Sequence, residues 1–64
     1  MHKHIKINLS KVDGNAFAIL GSVKKQAKAQ KLSETDWKII QDKAMSRDYN
    51  YLLATIMENF TVIF

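Results

Sequence analysis

The chain has 64 residues, of which 47% are apolar and 25% are charged, a balance that excludes a disordered tail and predicts one domain over residues 1–64. It contains no Cys, which excludes a disulfide-linked scaffold, a Cys-ligated metal and a thiol nucleophile. The formal charge is +4, and Arg47 is the one Arg among ten Lys and Arg residues. A charge carried by Lys favours general attraction to an acidic protein or a nucleic acid over the reading of bases.

The sequence offers little that could support catalysis. A pocket of roughly 300 Å³ is hard to hold in so small a core. There is no Gly-x-Ser-x-Gly elbow or phosphate-binding loop, and the only histidines are His2 and His4. A zinc site needs three or four protein ligands, which two histidines do not supply, so we expect no metal and no cofactor. Because the catalytic motifs are missing as well, we expect no enzymatic activity. The apolar stretches are short, which predicts neither a membrane span nor a secretory signal, and hence a cytoplasmic protein.

The first element is a strand. Over residues 3–9, Ile5, Ile7 and Leu9 alternate with polar residues. This period of two is typical of a strand with one buried face.

Turn residues follow at positions 10–15 and leave two interpretations open. One is a hairpin that leads into a second strand through Phe17 and Ile19. The other is a helix that begins after Asp13 or Asn15, either of which can cap it. We favour the helix because residues 16–29 contain four Ala with several Lys and Gln. Its apolar positions share one arc: Ala16, Ile19, Leu20, Val23 and Ala27.

Two further helices are predicted. Ser33, with an acid three residues later, resembles a capping box, and the helix after it places Trp37, Ile40 and Ala44 at core spacing. Ser46 or Asp48 caps the next helix, which has the most regular apolar spacing in the chain. The predicted core positions of that helix are Tyr49, Leu52, Leu53, Ile56, Met57 and Phe60.

Residues 61–64 are four β-formers with no polar tail, which predicts that this end is docked beside residues 3–9. The expected fold is therefore a small α+β domain of order β-α-α-α-β, with two terminal strands paired under three helices. Strand direction is left open, and parallel strands would imply a right-handed crossover. A two-stranded sheet has two exposed edges, so we also expect a homodimer that pairs through a sheet edge.

Two surfaces carry residues suited to binding. One is a basic face on the first helix, where Lys ammonium groups can contact phosphates or an acidic protein. The other lies near the start of the third helix, and its Tyr and Arg are types enriched at binding hot spots. The candidate residues are Lys24, Lys28 and Lys31 on the first surface and Arg47, Asn50 and Tyr51 on the second.

Three segments, INLS at residues 7–10, DGNAFAILG at 13–21 and SRDYNYLL at 46–53, resemble a group of very small proteins from bacteriophage genomes. The resemblance implies a setting and not a reaction, since small phage proteins commonly bind a host enzyme or defence component. It suggests a non-enzymatic accessory protein that binds a host protein stoichiometrically. Two alternatives are a basic nucleic-acid-binding module and an oligomer that sequesters a small anionic ligand.

Overall fold

The computed structural model describes residues 2–64. The elements in chain order are β1 (Lys6–Asn8), α1 (Ala16–Ala29), α2 (Glu34–Ala44), α3 (Tyr49–Asn59) and β2 (Thr61–Ile63). The strands pair in parallel, with Lys6 opposite Thr61 and Asn8 opposite Ile63. The predicted β-α-α-α-β order is confirmed, and the alternative hairpin is wrong because Phe17 and Ile19 lie inside α1.

Both strands are shorter than the sequence predicts. The strand expected over residues 3–9 is reduced to Lys6–Asn8, because the chain before it turns and the Ile5 N–H bonds to the His2 carbonyl at 2.9 Å. The segment expected to be docked over residues 61–64 pairs only as far as Ile63. This end of the chain is thus docked beside β1 as predicted, while the Phe64 side chain beyond the strand is 66% exposed.

Each helix begins on a polar side chain. The oxygens of Asn15, Ser33 and Asp48 accept the backbone N–H three residues later, at 2.9–3.1 Å. These bonds satisfy donors that the first turn leaves without a partner. Where the sequence offers two candidates, Asn15 and not Asp13 caps α1, and Asp48 and not Ser46 caps α3.

The core lies between the three helices and one face of the sheet. The predicted arcs of α1 and α2 are confirmed, and the indole of Trp37 is 1% exposed near the centre. The buried apolar residues are Ile5, Ile7, Leu9, Ile19, Leu20, Val23, Ala27, Leu32, Trp37, Ile40, Ala44, Leu52, Ile56 and Phe60.

The buried face of α3 differs from the predicted one. Tyr49 and Met57 are about half exposed, while Thr55 and Asn59 are buried. These two polar side chains can be buried because they bond within their own helix. The Thr55 hydroxyl donates to the Tyr51 carbonyl at 2.8 Å, and the Asn59 amide donates to the Thr55 carbonyl at 2.9 Å.

Gln26 of α1 and Gln30, the residue that caps the end of α1, close the outer edge of β1, and we call these two glutamines the glutamine clamp. The Gln26 amide accepts the Asn8 N–H at 2.7 Å and donates to the Asn8 carbonyl at 2.8 Å. The Gln30 amide does the same for Lys6, at 2.9 and 2.7 Å. The spacing fits because four helical residues rise about 6 Å and two strand residues rise about 6.6 Å. The edge is thus hydrogen-bonded as if a further strand lay beside it.

Candidate binding surface

An open apolar groove of about 190 Å³ lies between the start of α1 and the corner that joins α2 to α3. We call it the helix groove. Leu20 and Leu52 form its buried floor, and Phe17, Met45 and Tyr49 stand around it. Phe17 is 80% exposed and Met45 51% exposed, so much of this apolar surface faces water. Such a surface is typical of a contact site for another molecule.

A second apolar groove of about 270 Å³ adjoins the first, and we call it the strand groove. It lies where the sheet ends, and its lining includes Leu9, Leu53 and the exposed ring of Phe64. Tyr49 lines both grooves, and its hydroxyl donates to the carbonyl of Gly14 in the loop before α1. The Tyr49 ring therefore lies between the helix groove and the strand groove.

The predicted cluster near the start of α3 is partly assembled at the rim of the helix groove. The Arg47 guanidinium carbon lies 4.9 Å from the centre of the Tyr51 ring, a cation–π arrangement that holds a positive charge beside the groove. Asn50 is exposed in the first turn of α3. The structure thus brings Arg47 and Tyr51 together and joins them to apolar neighbours.

The predicted basic face is only partly present. Lys24 and Lys28 lie on α1, but Lys31 lies beyond its end in a left-handed conformation with φ 74°. Lys28 forms an ion pair with Glu34 at the start of α2. The hydrogen bond and charge of Lys28, with a further contribution from Lys24, hold the pKa of Glu34 below its ordinary value of 4.5. One carboxylate therefore offsets part of the positive charge expected on this face.

The described part of the chain holds no cluster of side chains suited to a metal ion. Within residues 2–64, no three His, Asp or Glu side chains come together as a metal site. The rings of His2 and His4 lie 6.3 Å apart, and His2 also approaches Phe60. No helix in this same range has both the length and the apolar character needed to cross a bilayer.

The sequence reasoning missed the apolar members of the surface. Phe17 lies off the predicted core arc of α1, and an aromatic residue on the polar side of an amphipathic helix was the signal that could have identified it. Met45 follows α2, where no periodic pattern applies. Phe64 belongs to a segment predicted to dock beside residues 3–9, and that prediction does not identify its ring as part of an exposed surface. Comparing each residue with the predicted core arcs therefore identifies Phe17 as an exposed apolar residue, but it does not identify Met45 or Phe64.

No protein-family model, curated protein or solved structure matches this chain. The resemblance to small phage proteins thus stays a prediction.

Proposed function

We propose that this chain is a non-enzymatic accessory protein that binds another protein stoichiometrically through the helix groove and its rim. The observation that carries the proposal is the 80% exposure of Phe17 beside a groove with a buried leucine floor. Burying a Phe side chain stabilises by about 1.5–3 kcal/mol, and at Phe17 most of this remains available for contact with a partner.

The chemistry of the rim indicates what the partner offers. Arg47 presents a guanidinium at the edge of the groove, and the whole chain carries a formal charge of +4. A segment that places an apolar side chain in the groove and a carboxylate next to Arg47 would match both features. We therefore propose an acidic protein segment with one large apolar side chain as the occupant.

The biological setting is proposed from the resemblance to small phage proteins. In that setting the partner is a host protein, such as an enzyme or a defence component, and the contact takes place in the cytoplasm of the host cell. The size of the chain and its lack of paired catalytic groups support a binding role over a catalytic one.

The nucleic-acid alternative rests on Lys24, Lys28 and Lys31. The ion pair between Lys28 and Glu34 weakens its support, because that ammonium is already partly neutralised. A small anionic ligand would use the same cations, and neither alternative uses the exposed Phe17. The protein-binding role accounts for more of the surface.

A site-specific crosslink tests the proposal. A photoreactive benzoylphenylalanine replaces Phe17, and in a matched control it replaces Ile39, which is 63% exposed on α2 and lines neither groove. In nuclease-treated lysate of the bacterial host, we expect one dominant protein adduct from position 17 and none from position 39. Arg47→Glu should weaken that adduct at least several-fold, because it reverses the rim charge.

The same experiment separates the alternatives. An adduct that disappears with nuclease would support the nucleic-acid module instead. Equal labelling from positions 17 and 39, or none from either, would refute the helix groove as a binding surface.

A further inference from the structure

We infer that the outer edge of β2 pairs with β2 of a second copy of this chain, around a two-fold axis at Val62. The product is a four-stranded sheet that stops at two copies. This contact uses neither Phe17 nor the helix groove, so it is independent of the proposed protein-binding role.

The two edges of the sheet differ in their hydrogen bonding. On β1, the outward groups of Lys6 and Asn8 are bonded by the glutamine clamp. On β2, the Thr61 N–H and the Ile63 carbonyl bond to the chain around β1, at 3.0 and 2.7 Å. Because alternate residues of a strand point to opposite edges, the N–H and carbonyl of Val62 point outward. No partner for them is found among residues 2–64, so β2 provides the open edge.

The side chains of the β2 segment itself do not discourage pairing. Natural edge strands are usually protected by Lys, Pro or a bulge. The segment from residue 59 to residue 64 contains no charged residue and no Pro, and Thr61, Val62 and Ile63 are all β-branched. Ile63 is about half exposed and Phe64 more so. The segment itself therefore adds no charge to the edge, and the cation at its start is Lys3, whose ammonium bonds to the Met57 and Phe60 carbonyls just before β2.

A two-fold axis at Val62 makes the edge self-complementary. In an antiparallel pair centred there, each Val62 N–H donates to the Val62 carbonyl of the other copy. The next outward groups, the Phe64 N–H and the Phe60 carbonyl, then meet across the axis. The Phe60 carbonyl already accepts from the Lys3 ammonium at 3.2 Å, and its second lone pair remains for this bond.

The glutamine clamp explains why such a sheet would not grow. Its strand order would be β1-β2-β2-β1, so both outer edges would be β1 edges whose outward groups are already bonded. Assembly therefore closes at two copies. A three-residue edge with Ile63 and Phe64 buries less than the roughly 800 Å² per partner of a standard interface. We therefore expect a weak dimer, with a Kd in the micromolar range or above.

Sedimentation equilibrium over a concentration series up to about 1 mM tests the inference, because it spans this affinity range. Ile63→Lys adds one ammonium group to each copy, and the two groups lie in adjacent cross-strand residue pairs on either side of the axis, where they repel each other. We expect the dimer to weaken at least tenfold. The fold is retained because residue 63 is exposed. Ile39→Lys is the matched control at an exposed apolar residue of α2. Val62→Pro removes the outward N–H at an edge position where Pro is tolerated.

We expect a concentration-dependent dimer for the unmodified chain and for Ile39→Lys, and monomers for Ile63→Lys and Val62→Pro at the same concentration. Circular dichroism confirms that each variant is folded, and Ile63→Lys decides the result if Val62→Pro unfolds. A monomeric unmodified chain throughout the series overturns the inference, as does a dimer that survives Ile63→Lys. The crosslink from position 17 should be unchanged by Ile63→Lys, so failure here and failure of the proposed function are distinguishable.

Discussion

Replacing Gln30 by Ala tests whether side-chain amides close the β1 edge. The substitution removes two hydrogen bonds to Lys6, whose outward backbone groups can then bond to water because the edge is exposed. A typical intramolecular hydrogen bond contributes about 0.5–1.5 kcal/mol net, and rehydration favours the lower half of that range. We therefore expect the free energy of unfolding to fall by about 1–2 kcal/mol for the two lost bonds.

Urea unfolding followed by Trp37 fluorescence measures this change, because Trp37 is the only Trp and is buried. The matched control is Gln41→Ala on α2, where the amide only approaches the Met45 sulfur at 3.8 Å. Gln26→Ala should resemble Gln30→Ala. A loss no larger than that of Gln41→Ala would show that the clamp contributes nothing to stability, and would also remove the reason for the dimer to stop at two copies.

Three further changes test other features. Lys31→Gly should stabilise the fold by about 0.5–1 kcal/mol in urea unfolding, because Gly adopts the left-handed conformation without a Cβ clash; a loss of stability would contradict this. Trp37→Phe should change the free energy of unfolding, measured by circular dichroism, by less than about 1.5 kcal/mol. The smaller Phe ring loses packing contacts, but the variant also removes a buried indole N–H that has no hydrogen-bond partner. A loss above about 3 kcal/mol would contradict this reasoning. The ion pair of Glu34 and Lys28 stabilises the fold at pH values above the unfolded-state pKa of Glu34, and this stabilisation is lost as the pH falls through the lower folded-state pKa. Glu34→Gln should therefore flatten that part of a plot of unfolding free energy against pH. An unchanged plot would refute the pairing.

Local patterns were enough to predict the order of elements. Asn15, Ser33 and Asp48 bond to backbone groups only three residues away, so a short window of sequence contains both partners. The buried face of α3 was harder to predict, because a hydropathy pattern treats Thr55 and Asn59 as surface residues. Hydrogen bonds within the helix allow these two side chains to be buried. Which face of α3 is buried depends on how the helix packs, and the hydropathy pattern does not describe that packing.

The candidate site was predicted only in part for a related reason. The proximity of Arg47 and Tyr51 follows from a separation of four residues, which places both near one face at the start of α3. The helix groove needs α1 to approach the corner between α2 and α3, and no local pattern describes that approach. The glutamine clamp likewise joins residues 18 and 24 positions apart.

The parallel ladder joins Lys6 to Thr61, so β1 is synthesised well before its partner β2. The three helices have mostly local contacts and can begin to form during translation. The sheet can close only after Thr61–Ile63 have emerged. Until then Ile5 and Ile7 have no strand beside them, so this earlier-made segment stays open to chaperones and to neighbouring chains after the helices have formed.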